Sequence, residues 1–169
     1  MADIYIRPLR RSDCDKIGPL LRDIWLDAYH GIQTDTELLA QSHKVHAPEL
    51  IASEIGNPNM HSVVAVTHGR IIGHARSDLS ENRIDISRLY VLRAFYRRGV
   101  GKALLQEVEN HFDGQLDVWL EVYEENKRAI AFYLSQGYEI MERGTEVQTE
   151  GRDVFEFKMR KQRQEQPIT

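Results

Sequence analysis

The sequence predicts a mixed α/β fold, a central β-sheet flanked by helices, on three observations. Leu116, Val118, Leu120 and Val122 alternate with Trp119 and Glu121, the two-residue period of a half-buried strand. Val100, Leu104, Val108 and Phe112 recur every four residues, the stripe of a helix with one apolar face. Segments of the two kinds are interleaved, in the order strand, helices, three strands, helix, strand, helix, two strands, which is how helices come to pack on a sheet.

Tyr5-Ile6-Arg7-Pro8 is a short first strand stopped by proline. Ser12 and Asp15 stand at capping-box spacing, and Ile17, Leu20, Leu21, Ile24 and Trp25 continue at helical spacing towards His30-Gly31. Thr34 to Ser42 and Pro48 to Ile55 give two short helices, closed by Asn57-Pro58-Asn59. Ser62 to Thr67 and Ile71 to Arg76 flank His68-Gly69-Arg70 as a hairpin.

Arg83 to Leu92 is the next strand, and its apolar parity slips between Ile86 and Leu89. Side chains alternate faces, so a slip requires one extra residue, a β-bulge near Ser87-Arg88; a strand buried on both faces is the other reading. Gly99 to Phe112 forms a helix, Leu116 to Val122 a strand, and Asn126 to Gln136 a helix ended by Gly137. Tyr138 to Met141 and Asp153 to Met159 are two closing strands joined by a polar turn. Residues 1–160 are read as a single domain and 161–169 as a polar, mobile tail.

Composition narrows the function. With 169 residues the chain has enough core to fold without disulfides or metal. A net charge of −4 supplies no basic face for nucleic acid, and no apolar run reaches membrane-spanning length. Cys14 is the lone cysteine, and Met1 to Arg11 lack the apolar core of a signal peptide, so a cytoplasmic setting is expected. His43 and His46 are three apart on a predicted helix, but no third ligand follows at a recognisable spacing, and no metal is expected.

Arg97-Arg98-Gly99-Val100-Gly101-Lys102 lies between a strand and a helix. Two glycines let the backbone turn sharply, and the free N–H groups of the helix start point at a bound anion. Arg97, Arg98 and Lys102 add positive charge, which makes a phosphate seat or, on the plainer reading, only a tight turn. The third glycine of a dinucleotide fingerprint and the Gly-Lys-Ser/Thr end of a P-loop are both missing.

A second segment follows, Asn126-Lys127-Arg128-Ala129-Ile130-Ala131-Phe132-Tyr133, then Gly137-Tyr138. With the glycine turn it resembles the GNAT family of N-acetyltransferases. That family carries Gln/Arg-x-x-Gly-x-Gly/Ala at the coenzyme A pyrophosphate and a later Asn-x-x-Ala-x-x-Phe-Tyr-x-x-x-Gly-Phe. Here Asn126, Ala129, Phe132, Tyr133 and Gly137 match the second pattern, Ile6-Arg7-Pro8 and Leu89-Tyr90-Val91 resemble the family's opening and central strand, and Tyr96 departs from the leading Gln or Arg.

The resemblance implies a GNAT-like sheet with a splayed, bulged central strand. It implies transfer of acetyl from acetyl-CoA to a primary amine by direct attack, without metal, in an enzyme that is commonly a dimer. Leu89, Tyr90, Val91, Arg97, Arg98, Gly99, Val100, Gly101, Lys102, Asn126, Ala129 and Phe132 would hold the cofactor, with Asn126 free to cap its helix as well. Tyr133 would be the acid at sulfur, the N–H of Val91 or Leu92 the oxyanion donor, and Glu121 or Asp85 the base. Residues 24–60 and 143–152 would shape the acceptor site, with Trp25, Asp27, Tyr29 and His30 lining it. Helix two and the stretch from Trp119 to Tyr138 look like polyamine acetyltransferases; peptide amines, or a catalytically silent CoA-binding regulator, are the alternatives.

Overall fold

The computed structural model describes residues 3–144, 147–149 and 151–163. In chain order the elements are β1 (Tyr5–Pro8), α1 (Cys14–Ala28), α2 (Asp35–Val45), α3 (Pro48–Ser53), β2 (Met60–Thr67), β3 (Arg70–Ser80) and β4 (Arg83–Val91). There follow α4 (Val100–Glu109), β5 (Val118–Tyr123), α5 (Lys127–Ser135), β6 (Glu139–Arg143), β7 (Val147–Thr149), β8 (Arg152–Val154) and β9 (Glu156–Lys161). Seven strands make one sheet in the order β1-β2-β3-β4-β5-β9-β6, with β7 and β8 a separate hairpin.

The first four strands form an antiparallel meander. His68 and Gly69 both hold left-handed backbone (φ 46° and 74°), the two-residue turn whose twist suits a hairpin. β4 then meets β5 in parallel, at Ile84↔Val118 and Asp85↔Trp119 only. Beyond that seam the two strands part. β5 continues antiparallel to β9, and β9 to β6.

The parity slip in β4 is a bulge. Ile86 pairs with Ser77 and Arg88 with Arg76, which leaves Ser87 over, its hydroxyl donating to Asp78. The extra residue turns Leu89 and Val91 to the face already covered by Ile84 and Ile86, where α4 packs through Val100, Leu104, Leu105 and Val108. Arg88 and Tyr90 turn to the opposite face, which α1 and α3 cover through Ile17, Leu21 and Ile51.

Several expected boundaries move. The first helix starts at Cys14, not on a Ser12 cap; Asp13 instead accepts the Arg10 N–H at 2.8 Å and both Arg7 guanidinium nitrogens. The capping box falls on the second helix, where Thr34 and Glu37 exchange bonds of 3.1 and 3.3 Å. α4 ends before Phe112 and β5 begins after Leu116. The polar turn expected before the last strand contains β7 and β8, so that strand begins at Glu156 rather than Asp153.

Lys161 belongs to β9, not to a tail, and its ammonium lies 3.1 Å from buried Glu109 on α4; Tyr138 donates to the same carboxylate at 2.6 Å. Residues 164–169 of the expected tail, and 145, 146 and 150 of the expected acceptor segment, lie outside the described residues. Among the described residues no helix is long and apolar enough to cross a membrane.

Candidate active site

Where β4 and β5 part, a cleft of about 920 Å³ opens through the sheet. One end is made by the β4–α4 turn and α5, through Arg97, Gly99, Gly101, Lys102, Asn126, Ala129 and Phe132. The other end is made by Trp25 and Tyr29 from α1, Asp85 from β4, Trp119, Glu121 and Tyr123 from β5, and Glu156 from β9. Tyr133 lines the cleft along with Leu89, Tyr90 and Val91.

The free edge of β4 is a consequence of the splay. Leu92 donates its N–H to Ile72 at 2.9 Å, so of the expected pair only the Val91 N–H is left to face the gap. Antiparallel ladders alternate their bonds, so the main-chain groups of Leu89 and Val91 face away from β3 and into the gap. An extended ligand amide can pair there as an added strand would.

The turn before α4 suits an anion. Arg97 and Gly99 both hold left-handed backbone (φ 59° and 78°), which curls successive N–H groups into a concave seat. The first intrahelical bond runs from Ala103 N–H to the Gly99 carbonyl, so by helix geometry the N–H groups before it are free for a ligand. A Cβ on Gly101 would come within 3.7 Å of the Phe132 ring and 3.9 Å of Val91, so the absent side chain keeps the floor of the cleft open. These features fit the pyrophosphate of coenzyme A.

Cations complete that end, though not all those expected. Arg97 and Lys102 line the cleft. The Arg98 guanidinium lies over the Phe95 ring at 5.4 Å, outside the cleft, and the Val100 side chain is buried in the core, which leaves that residue only its N–H to offer. Tyr96, which stands where the family motif has Gln or Arg, carries the Arg128 guanidinium on its ring at 3.9 Å. Arg128, from the first turn of α5, lines the cleft and sets a positive charge on the wall opposite Tyr96. Asn126 accepts the Ala129 N–H at 3.2 Å and so caps α5.

The other end is aromatic and acidic. The Tyr29 and Tyr90 hydroxyls lie 3.3 Å apart, and the Tyr29 ring meets Tyr123 edge-on at 5.2 Å. Gln33 donates to the Tyr123 hydroxyl at 3.1 Å. Trp25 packs on Tyr29, Tyr90 and the His46 ring. Burial raises the phenols of Tyr29 and Tyr133 well above the ordinary range, with Tyr90 adding to both shifts, and raises that of Tyr90 itself; burial and the charge of Glu156 push Tyr123 up to about 12. All four are neutral donors at physiological pH.

Two expected acceptor residues are placed elsewhere. Asp27 faces outward and pairs with Arg93 at 3.1 Å, and His30 is exposed in the turn after α1; neither lines the cleft. His46, one of the two histidines weighed as ligands, bonds Ser42 at 2.9 Å and backs Trp25. Tyr123 has the same strand parity as Trp119 and Glu121, a signal the sequence reading did not use. Arg128 and Glu156 carried no motif signal, because only the fold brings them to the cleft.

Comparison with known proteins agrees with this geometry. The profile of the Acetyltransferase (GNAT) family matches residues 20–138. A spermidine N(1)-acetyltransferase from Thermoplasma acidophilum is 24% identical over 143 residues, covering 81% of this chain and 89% of that protein. A peptidyl-lysine N-acetyltransferase from Escherichia coli is 35% identical over 74 residues, 44% of this chain and 47% of that one. The crystal structure of the PaiA N-acetyltransferase from T. acidophilum with coenzyme A superimposes with a TM-score of 0.81 at 24% identity, over 95% of this chain and 99% of that one. The chain therefore belongs to the GNAT acetyltransferase family and is an acetyl-CoA-dependent acyltransferase.

Proposed function

We propose that the protein acetylates a primary amine on a small cationic molecule, a polyamine such as spermidine being the best-fitting class. The observation that carries this reading is the polarity of the cleft. Arg97, Lys102 and Arg128 stand at the phosphate end; at the other, among the aromatic rings, stand Asp85, Glu121 and Glu156. Of the cations beside them Arg83 is paired with Asp85, Arg88 with Glu54, and Lys158 lies across from Glu121, which leaves Glu156 without a cation of its own among the described residues. Carboxylates and ring faces together suit an ammonium chain, through charge-assisted hydrogen bonds and cation–π contact.

Acetyl-CoA supplies an activated thioester carbonyl. The α4 N–H groups, Arg97, Lys102 and Arg128 hold its pyrophosphate, and the edges of Leu89 and Val91 pair with its amide arm. The N–H of Val91 meets the oxygen that gains charge as the amine attacks, where a fixed donor contributes most. Tyr133 stands at the leaving sulfur. Its phenol holds its proton more tightly than a thiol does, so it stabilises the thiolate by donating a hydrogen bond. Trp25, Tyr29 and Tyr123 line the acceptor channel, and the single buried thiol of Cys14 accords with a reducing, cytoplasmic setting.

The test is release of free thiol from acetyl-CoA with spermidine, free amino acids, an aminoglycoside and a lysine peptide. Turnover confined to spermidine supports the reading. Turnover confined to the peptide replaces the acceptor class with peptide lysine, and absence of turnover on every amine overturns amine acetylation.

A further inference from the structure

We propose that Glu156, from the last strand, is the carboxylate that receives the acceptor's ammonium group and takes its proton before attack. The proposal rests on the amine-acetylating reading above and moves the base from the two residues that the sequence offered. Three carboxylates line the acceptor end of the cleft, Asp85, Glu121 and Glu156, and their surroundings separate them.

Asp85 is already engaged. It accepts from the Ser80 hydroxyl at 2.7 Å and is paired with Arg83 at 3.0 Å. Its oxygens are already occupied within its own hairpin, which leaves them less free to receive a substrate's ammonium group. Glu121 is exposed, and the β5–β9 register sets it directly across from Lys158, a cation that matches its charge.

Glu156 differs on each count. It is half-buried, and among the described residues its carboxylate has neither an ion pair nor a hydrogen bond. The register places it directly across from Tyr123 and diagonal to Glu121 on the same face of the sheet. Diagonal cross-strand neighbours stand about 7 Å apart, close enough for two carboxylates to repel and for one ammonium to relieve both. Burial, and then the charge of Glu121, raise the Glu156 carboxyl above the ordinary range, towards the pH where a base exchanges protons readily. The ring of Tyr123 stands beside it, and Tyr29 meets that ring at 5.2 Å.

The charged and titratable groups around it are few. Glu121 and Tyr123 face it from β5, Lys158 lies two residues along β9, Glu142 of β6 is already bound to Lys158 at 2.6 Å, and Arg83 of β4, which lines the same cleft, is bound to Asp85 at 3.0 Å. From α2, Glu37 adds its charge at Tyr123. The excess is negative, which draws an ammonium in. One proton then passes from R–NH3⁺ to Glu156 and on to water. The neutral nitrogen forms the C–N bond as the C–S bond breaks, and the second N–H proton is released to the thiolate, giving thiol and amide.

The experiment separates this assignment from the reading beneath it. Calorimetry with acetyl-CoA comes first: wild type and Glu156→Gln should bind within about twofold of each other. A wild type that does not bind refutes the cofactor reading itself. Carbon-13 NMR of labelled glutamate, recorded with coenzyme A present, then follows the carboxyls as spermidine or propylamine is added. The Glu156 resonance, assigned by its loss in Glu156→Gln, should titrate above its fellows and move on amine addition. A Glu156 signal that stays still with either amine, in protein that binds acetyl-CoA, overturns the proposal. In turnover of spermidine, Glu156→Gln should lose roughly 100-fold in kcat/KM at neutral pH and recover as pH rises and the free amine supplies itself. An unchanged pH profile in Glu156→Gln also overturns it, and Glu156→Asp should restore part of the rate.

Discussion

At one end of the cleft, Gly99, Gly101 and the first turn of α4 present main-chain N–H groups from one short stretch of chain. At the other, Trp25, Tyr29, Tyr123 and Glu156 present side chains from three segments that are distant in sequence. The first end is specified by backbone conformation and is vulnerable mainly to bulk and to negative charge. The second is specified by packing, so it depends on whatever holds α1, β5 and β9 in place. A binding site made of main chain and one made of side chains should therefore fail in different ways.

The sharpest break is Gly101→Glu. Its side chain would enter the floor of the cleft between Phe132 and Val91 and set a carboxylate against phosphate. Acetyl-CoA affinity should fall by at least roughly 100-fold by calorimetry, while Gly101→Ala, whose Cβ finds only ordinary contacts, should stay within a few-fold. Equal behaviour of the two variants would remove the pyrophosphate from that turn.

Acid should strike the other end first. His74 is fully buried, and burial followed by the charge of Arg88 holds its pKa down to about 3; His46, behind Trp25, is held to about 4 for the same reasons in the same order. Both rings are neutral in the fold and would protonate near pH 6.5 when unfolded, so the stability they contribute is present above that pH. It is lost as pH falls towards 4 and 3. For His74 alone the loss is about 3 kcal/mol by pH 4. Thermal unfolding should fall steeply across that window, with Trp25 fluorescence changing before acetyl-CoA affinity does.

Tyr133→Phe removes a hydroxyl where the two ends meet. Turnover should fall by roughly 100-fold, with the KM for acetyl-CoA almost unchanged. A raised KM with normal turnover would place Tyr133 in binding instead. Arg128→Ala should be the mildest, about tenfold weaker acetyl-CoA binding, with the difference shrinking as salt is added. If Tyr96→Arg in that background restores affinity, the two positions supply the same charge from opposite walls.

What was legible in the sequence follows the same division. The turn into α4 was readable because glycine at two positions and a helix start are local requirements, and the bulge at Ser87 was readable because a parity slip leaves one residue over. The match of Asn126 to Gly137 placed α5 and Tyr133 beside that turn. The acceptor end was only half readable. Trp25, Tyr29 and Glu121 line the cleft, but Asp27 and His30, their close neighbours in sequence, do not, because the backbone there turns adjacent residues to different sides. Glu156 carries no local mark; its place depends on the register of β9 against β5, fixed by Val122, Leu120 and Met159 in the core. Arg128 was hidden for a similar reason, since its partner Tyr96 lies on the far wall.

The seam between β4 and β5, two residue pairs long, has a consequence for how the molecule opens. The strands β1 to β4 are one hydrogen-bonded block, and β5, β9 and β6 are another. Beyond the seam, Glu109 of α4 fastens the second block through Tyr138 and Lys161. Amide hydrogen exchange should therefore show two cooperative units, the smaller one opening at lower free energy. A molecule of acetyl-CoA that lies along the free edge of β4 bridges the interrupted sheet, so its binding should slow exchange throughout the smaller unit, far beyond the residues it touches.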